Sequence, residues 1–132
     1  MKALDTNILV RFLTNDDTTQ AQKVYQLFKE AEAKKECFFV PLLVVLELLW
    51  VLNAVYDIPR NEIVETINEL IYLPVLKFES ASVLQMFIKN AANTSQDLSD
   101  ILIACAAKSN GCSIVLTFDK KAAQLDMFEN II

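Results

Sequence analysis

Gln96-Asp97-Leu98-Ser99-Asp100-Ile101-Leu102-Ile103-Ala104-Cys105-Ala106-Ala107-Lys108-Ser109-Asn110-Gly111-Cys112-Ser113-Ile114-Val115-Leu116-Thr117-Phe118-Asp119-Lys120-Lys121-Ala122 is the stretch that decides the fold class. Asp97 and Asp100 open a helix and, three residues apart, share one of its faces. An apolar helix follows, and Gly111 is placed to stop it in a left-handed conformation. Ile114 to Phe118 then reads as a buried strand ending on Asp119. If that strand is parallel to its neighbours, Asp119 emerges at the carboxyl edge of the sheet, where α/β folds place ligands. Two elements would then aim acids at one place.

Upstream, the same alternation repeats. Lys2 to Leu4 is a short strand ending on Asp5, and Asn7 to Leu13 a short helix. Asn15-Asp16-Asp17-Thr18 supplies a turn with helix-capping residues. Ala21, Val24, Tyr25, Phe28 and Ala31 then recur at helical spacing to about Ala33. Cys37 to Val40 is a strand, closed by Pro41 as the expected first position of a helix running to about Tyr56. Ile63, Ile67, Leu70 and Ile71 mark the next helix and Val75 to Phe78 the next strand. Ser80 is placed to cap a helix to Ala92, and a last strand is expected near Asn130 to Ile132. Strands alternating with helices indicate an α/β domain with a mainly parallel sheet. With 132 residues and no linker or repeat, one domain over 1–132 is expected.

Composition narrows the chemistry. There is no histidine, which removes Ser-His and Cys-His nucleophile pairs and histidine metal ligands together. Cys37, Cys105 and Cys112 are an odd number without a Cys-x-x-Cys, so they read as buried apolar filler in a reducing, cytoplasmic compartment. The net charge of −5 argues against a nonspecific nucleic-acid grip from bulk electrostatics, leaving room for a local basic patch. The apolar fraction of 54% exceeds the globular average and points to surface covered by a second subunit. The helix after Pro41 is apolar nearly all round, but Pro41, Glu47 and Asn53 interrupt a run already short of the roughly 20 residues a membrane span needs.

Glu47 stands out in that helix. Its neighbours three and four away, Leu43, Val44, Trp50 and Val51, cannot pair with it, and an unpaired buried carboxylate costs several kcal/mol unless something completes it. In a parallel sheet Asp5 and Asp119 would both emerge at the carboxyl edge, where the helices carrying Glu47 and Asp100 would also begin. Taken singly, Asp5, Asp97 and Asp119 have plain readings as helix caps. Together, several carboxylates without histidine or clustered cysteine select a hard cation, Mg²⁺ or Mn²⁺, and suit hydrolysis of a phosphodiester.

Leu4-Asp5-Thr6-Asn7-Ile8-Leu9-Val10-Arg11-Phe12-Leu13, Phe39-Val40-Pro41 leading to Leu46-Glu47-Leu48-Leu49-Trp50, Asp97-Leu98-Ser99-Asp100-Ile101-Leu102 and Thr117-Phe118-Asp119-Lys120-Lys121 together resemble the PIN-domain family, and within it the VapC-type toxins of prokaryotic toxin–antitoxin pairs. The resemblance implies a three-layer α/β/α fold with a central, mainly parallel sheet of four to five short strands. It implies a metal-dependent endoribonuclease, a homodimer neutralised by a cognate antitoxin protein. By position, Asp5, Glu47 and Asp100 match the family's principal metal-binding acids, Asp119 its more variable fourth acid and Asp97 an accessory one. Thr6, Asn7 and Thr117 match polar residues that orient the acids or the attacking water. Arg11, Lys120 and Lys121, and more weakly Lys108, are candidates for RNA phosphate contacts. The alternatives are a housekeeping RNA-processing nuclease of the same family, a receiver-type phosphorylation domain and a catalytically silent binding module.

Overall fold

Local signals start and stop most of the helices. In the computed structural model, which describes residues 1–131, the chain divides into two compact units, Met1–Glu79 and Ser80–Ile132. The first unit holds α1 (Thr6–Leu13), α2 (Thr18–Ala33), β1 (Phe38–Val40), α3 (Leu42–Ala54), α4 (Arg60–Ile71) and β2 (Leu76–Phe78). Asp17 caps α2, its carboxylate accepting from the Gln20 amide at 3.0 Å. Pro41 sits one residue before α3 rather than inside it and offers no side-chain cap. Glu79 replaces that cap from a distance, its Oε1 accepting from the Leu42 amide at 2.9 Å.

β1 and β2 pair in parallel, Phe38 opposite Leu76 and Val40 opposite Phe78. The strand expected at Lys2 to Leu4 is reduced to one parallel bridge between Ala3 and Phe39. Two backbone bonds hold it, Leu4 N to Phe39 O and Phe39 N to Lys2 O, both 2.9 Å. α1 packs on α2 and α3, and α3 on α4, around the fully buried Leu9, Leu48, Leu52, Ile63 and Ile67.

The second unit holds α5 (Ala81–Ala91), α6 (Leu98–Ser109), β3 (Val115–Thr117), a 3-10 turn (Ala122–Gln124) and β4 (Phe128–Asn130). α5 and α6 pack together over Leu84, Phe87, Ile101, Leu102 and Cys105. Burial pushes the Cys105 thiol pKa up, which keeps it neutral, as apolar filler should be. Gly111 closes α6 at φ +88°, with the Cys112 amide reaching back to Ala107 O at 3.0 Å. β3 and β4 pair in parallel, Val115 opposite Phe128, so the α/β alternation and parallel pairing expected from the sequence are present. Of the last strand expected at Asn130 to Ile132, β4 includes Asn130, and Ile132 lies outside the described residues.

Three further expectations are corrected. Ser80 precedes α5 in the left-handed region, φ +57°, and makes no capping bond, because a capping hydroxyl reaches its amides from extended backbone. Cys112 is exposed rather than buried, since it follows the helix stop. The strand read as buried shows one face outward: Leu116 is 61% and Phe118 78% exposed, with Ile114 beside them. Successive residues of a strand point to opposite sides, so a uniformly apolar strand need not be covered on both.

Candidate active site

Asp5 follows the Ala3 bridge and caps α1, one carboxylate oxygen accepting from the Thr6 amide at 2.7 Å. Its side chain is exposed, whereas Thr6 is buried and its Oγ1 finds no hydrogen-bond partner among the described residues. Burying a hydroxyl unpaired is costly, so Thr6 is a weak point of the packing directly beside the acid.

Glu47 lies on α3 and is exposed, which overturns the argument from an unpaired buried carboxylate. α3 buries Val45, Leu48, Leu49 and Leu52 and turns Leu43, 77% exposed, and Trp50, 61% exposed, to the same side as Glu47. An almost wholly apolar helix has no periodicity to reveal which side faces the core.

In the second unit, the charges of Asp97 and Asp119 both reach Asp100. Asp97 caps α6, accepting from the amides of Ser99 at 2.9 Å and Asp100 at 3.3 Å. Asp119 lies ahead of the 3-10 turn and accepts from the amides of Lys121 at 2.8 Å and Ala122 at 3.4 Å, while its own amide donates to Thr117 Oγ1 at 3.0 Å. Asp100 sits in the first turn of α6. Burial, and then the charges of Asp97 and Asp119, push its carboxyl above the ordinary aspartate range.

That is the electrostatic position a cation would relieve, and the donors are all carboxylate oxygens, which fits a hard divalent ion. Among the described residues, however, no three acidic or cysteine side chains are gathered closely enough to hold a metal ion. Asp97 and Asp119 each have an oxygen engaged by backbone amides.

The candidate phosphate contacts differ in their surroundings. Lys120 and Lys121 are exposed beside Asp119. Lys108 lies in the last turn of α6, at the other end of the helix from Asp100. Arg11 is engaged: its Nη1 donates to Asp16 Oδ1 at 3.1 Å and to the Tyr56 hydroxyl at 3.2 Å, and its Nε to Gln20 Oε1 at 2.6 Å. The Tyr56 hydroxyl donates to Asp16 Oδ2 at 2.6 Å, and with Thr14 and then Arg11 holds Asp16 below the usual carboxylate range. This clasp joins the end of α1, the following turn and the segment after α3. Sequence reading missed Tyr56, because a contact over 45 positions leaves no local pattern.

A family model for the PIN domain matches residues 2–127. The chain belongs to the PIN-domain family. It is also similar to a VapC ribonuclease of Aquifex aeolicus (strain VF5), 28% identical over 125 residues, covering 95% of this chain and 92% of that protein. The PIN fold is three-layer α/β/α, the class expected above, and the match removes the receiver-domain alternative. Among the described residues of this PIN domain, no helix is long and apolar enough to cross a membrane.

The two capping bonds of Asp97 give it a measurable share in the stability of α6. Asp97→Ala should cost about 1 kcal/mol, the usual worth of an N-cap, whereas Asp97→Asn keeps an acceptor and should cost a few tenths. Urea unfolding of both variants measures this. Equal losses would mean that the charge of Asp97, not its cap, matters to the fold.

Proposed function

We propose that this PIN domain is an endoribonuclease that hydrolyses phosphodiester bonds of RNA with a bound Mg²⁺ or Mn²⁺, as the toxin of a toxin–antitoxin pair. The observation that carries the reading is the crowding of Asp97 and Asp119 on a half-buried Asp100, in a chain similar to a VapC ribonuclease along nearly its whole length. Asp5, Glu47, Asp100 and Asp119 are the acids assigned to the metal, with Asp97 as an accessory. What supports grouping acids of both units in a single nuclease domain is the family match over residues 2–127.

A divalent cation at these acids would lower the pKa of water and neutralise the scissile phosphate. The protein's own groups do the positioning. The Thr6 amide fixes one oxygen of Asp5, Thr117 anchors the backbone at Asp119, and the Lys121 and Ala122 amides hold its Oδ1. Asn7 is assigned to orienting the attacking water, and Lys120 and Lys121 to RNA phosphates. In a chain of net charge −5, the acids repel RNA until the cation is bound, so affinity should depend on the metal.

Leu43 and Trp50, exposed on one side of α3, support a homodimer through that face. A basic segment of the antitoxin, placing an arginine among the acids, would block them. Free thiols at Cys37, Cys105 and Cys112 favour the reducing cytoplasm.

The test is incubation of the purified protein with RNA. Cleavage should appear with Mg²⁺ or Mn²⁺, vanish with EDTA and return when the metal is restored. Cleavage that persists in EDTA would sink the metal-dependent reading.

A further inference from the structure

Residues of α1 and α2 line an open groove of about 340 Å³: Asn7, Ile8, Arg11, Gln20, Lys23 and Val24. Helical spacing explains the set. Asn7 and Arg11 are four apart on one wall, Gln20 and Lys23 three apart on the other, and Ile8 with the buried Val24 makes the lining partly apolar. The groove contains no carboxylate among its lining residues, in a chain with 17 acids and 12 bases. It starts at Asn7, two residues after Asp5.

Its two cations are held differently. Arg11 is fixed by Asp16, Gln20 and Tyr56, and its bond to Gln20 joins the two walls at 2.6 Å. Lys23 is exposed and in no ion pair among the described residues. An unneutralised cation opposite a fixed guanidinium, with amide donors on both walls and no acid in the lining, is complementary to the backbone of a polyanion. The size suits a short stretch of single strand, whose bases can turn away from the backbone, and not a duplex.

We propose that this groove is the track for the single-stranded RNA backbone next to the scissile bond, with Lys23 as its free phosphate contact opposite the fixed Arg11, on the wall that Asn7 shares. The proposal rests on the ribonuclease reading. It makes Arg11 part of a rigid surface and gives Lys23 the mobile, salt-sensitive contact. A very short substrate that cannot reach the groove should not sense Lys23.

Lys23→Ala, Lys23→Glu and Lys23→Arg are compared with the parent in two assays. One is cleavage of an RNA oligonucleotide and of a dinucleotide in Mg²⁺. The other is fluorescence anisotropy of the same oligonucleotide bound to Asp100→Asn protein carrying each Lys23 change. For the oligonucleotide, Lys23→Ala should raise KM several-fold with kcat unchanged, and Lys23→Glu should raise it further. Lys23→Arg should restore it, and the dinucleotide should be unaffected. Loss of one contact on a single strand should reduce the slope of log affinity against log salt by about 0.7. Lys23 is exposed, so all three variants should melt as the parent does. If Lys23→Ala and Lys23→Glu leave KM, binding and salt slope unchanged, the track is wrong and the groove is open to a protein partner. If the parent cleaves no RNA, the ribonuclease reading falls, and the anisotropy arm still decides whether Lys23 holds a strand.

Discussion

Asp100→Asn should lower RNA cleavage by about a thousand-fold while raising the melting temperature of the metal-free protein. The first effect follows from the role proposed for Asp100, since interactions of several kcal/mol with the reacting charge are at stake and each 1.4 kcal/mol or so is tenfold. The second follows from its surroundings. Burial and the charges of Asp97 and Asp119 raise its pKa in the folded protein. A group so shifted contributes stability when protonated, below the ordinary aspartate pKa, and that contribution is lost as pH rises through the raised folded value. At neutral pH the ionised Asp100 is therefore a burden that asparagine removes, and the gain should shrink on acidification. Melts in EDTA at neutral and acid pH, beside cleavage assays in Mg²⁺, measure both effects. A lower melting temperature at either pH would make Asp100 a structural residue. Asp5→Asn and Glu47→Gln should lose cleavage to a similar degree, and variants that keep the parent's rate would remove those acids from the proposed centre.

Phe87→Ala should destabilise the protein by about 3–5 kcal/mol, the range for emptying a fully buried aromatic position. Phe87 is 0% exposed and belongs to the core that α5 and α6 share. Leu84, Ile101 and Leu102, buried on the same two packed helices, cannot fill the space without moving those helices. The loss is a large part of the roughly 5–15 kcal/mol that holds a domain folded. Ile103, 44% exposed on α6, is the control, and its alanine variant should change stability by less than about 1 kcal/mol. Urea unfolding checks both, and equal effects at the two positions would contradict this packing.

Features that depend on a few neighbouring residues were legible. Asp17 and Asp97 cap their helices, Gly111 takes the left-handed turn, and the apolar spacing of α2 and α4 matches their buried faces apart from Tyr25 and Ile71. Each is a local property, set by hydrogen bonds within one turn or by a 3.6-residue period. The acids stood out only as candidates, because the absence of histidine leaves carboxylates as the metal ligands available in quantity.

The amino-acid sequence by itself therefore determined the α/β class, the helix boundaries within a residue or two, and which acids are candidates for chemistry. Tertiary structure decided everything that depends on which side of a uniformly apolar segment meets the core. It left Glu47 exposed on α3 and turned Leu116 and Phe118 outward on β3. It also decided the contacts that close over long stretches of chain: Glu79 capping α3, Tyr56 joining Arg11 and Asp16, and Lys23 facing Asn7 across a groove. The physical reason is the same in each case. A periodic pattern records burial only when polar and apolar residues alternate, and a side-chain contact between distant elements exists only once packing has brought those elements together.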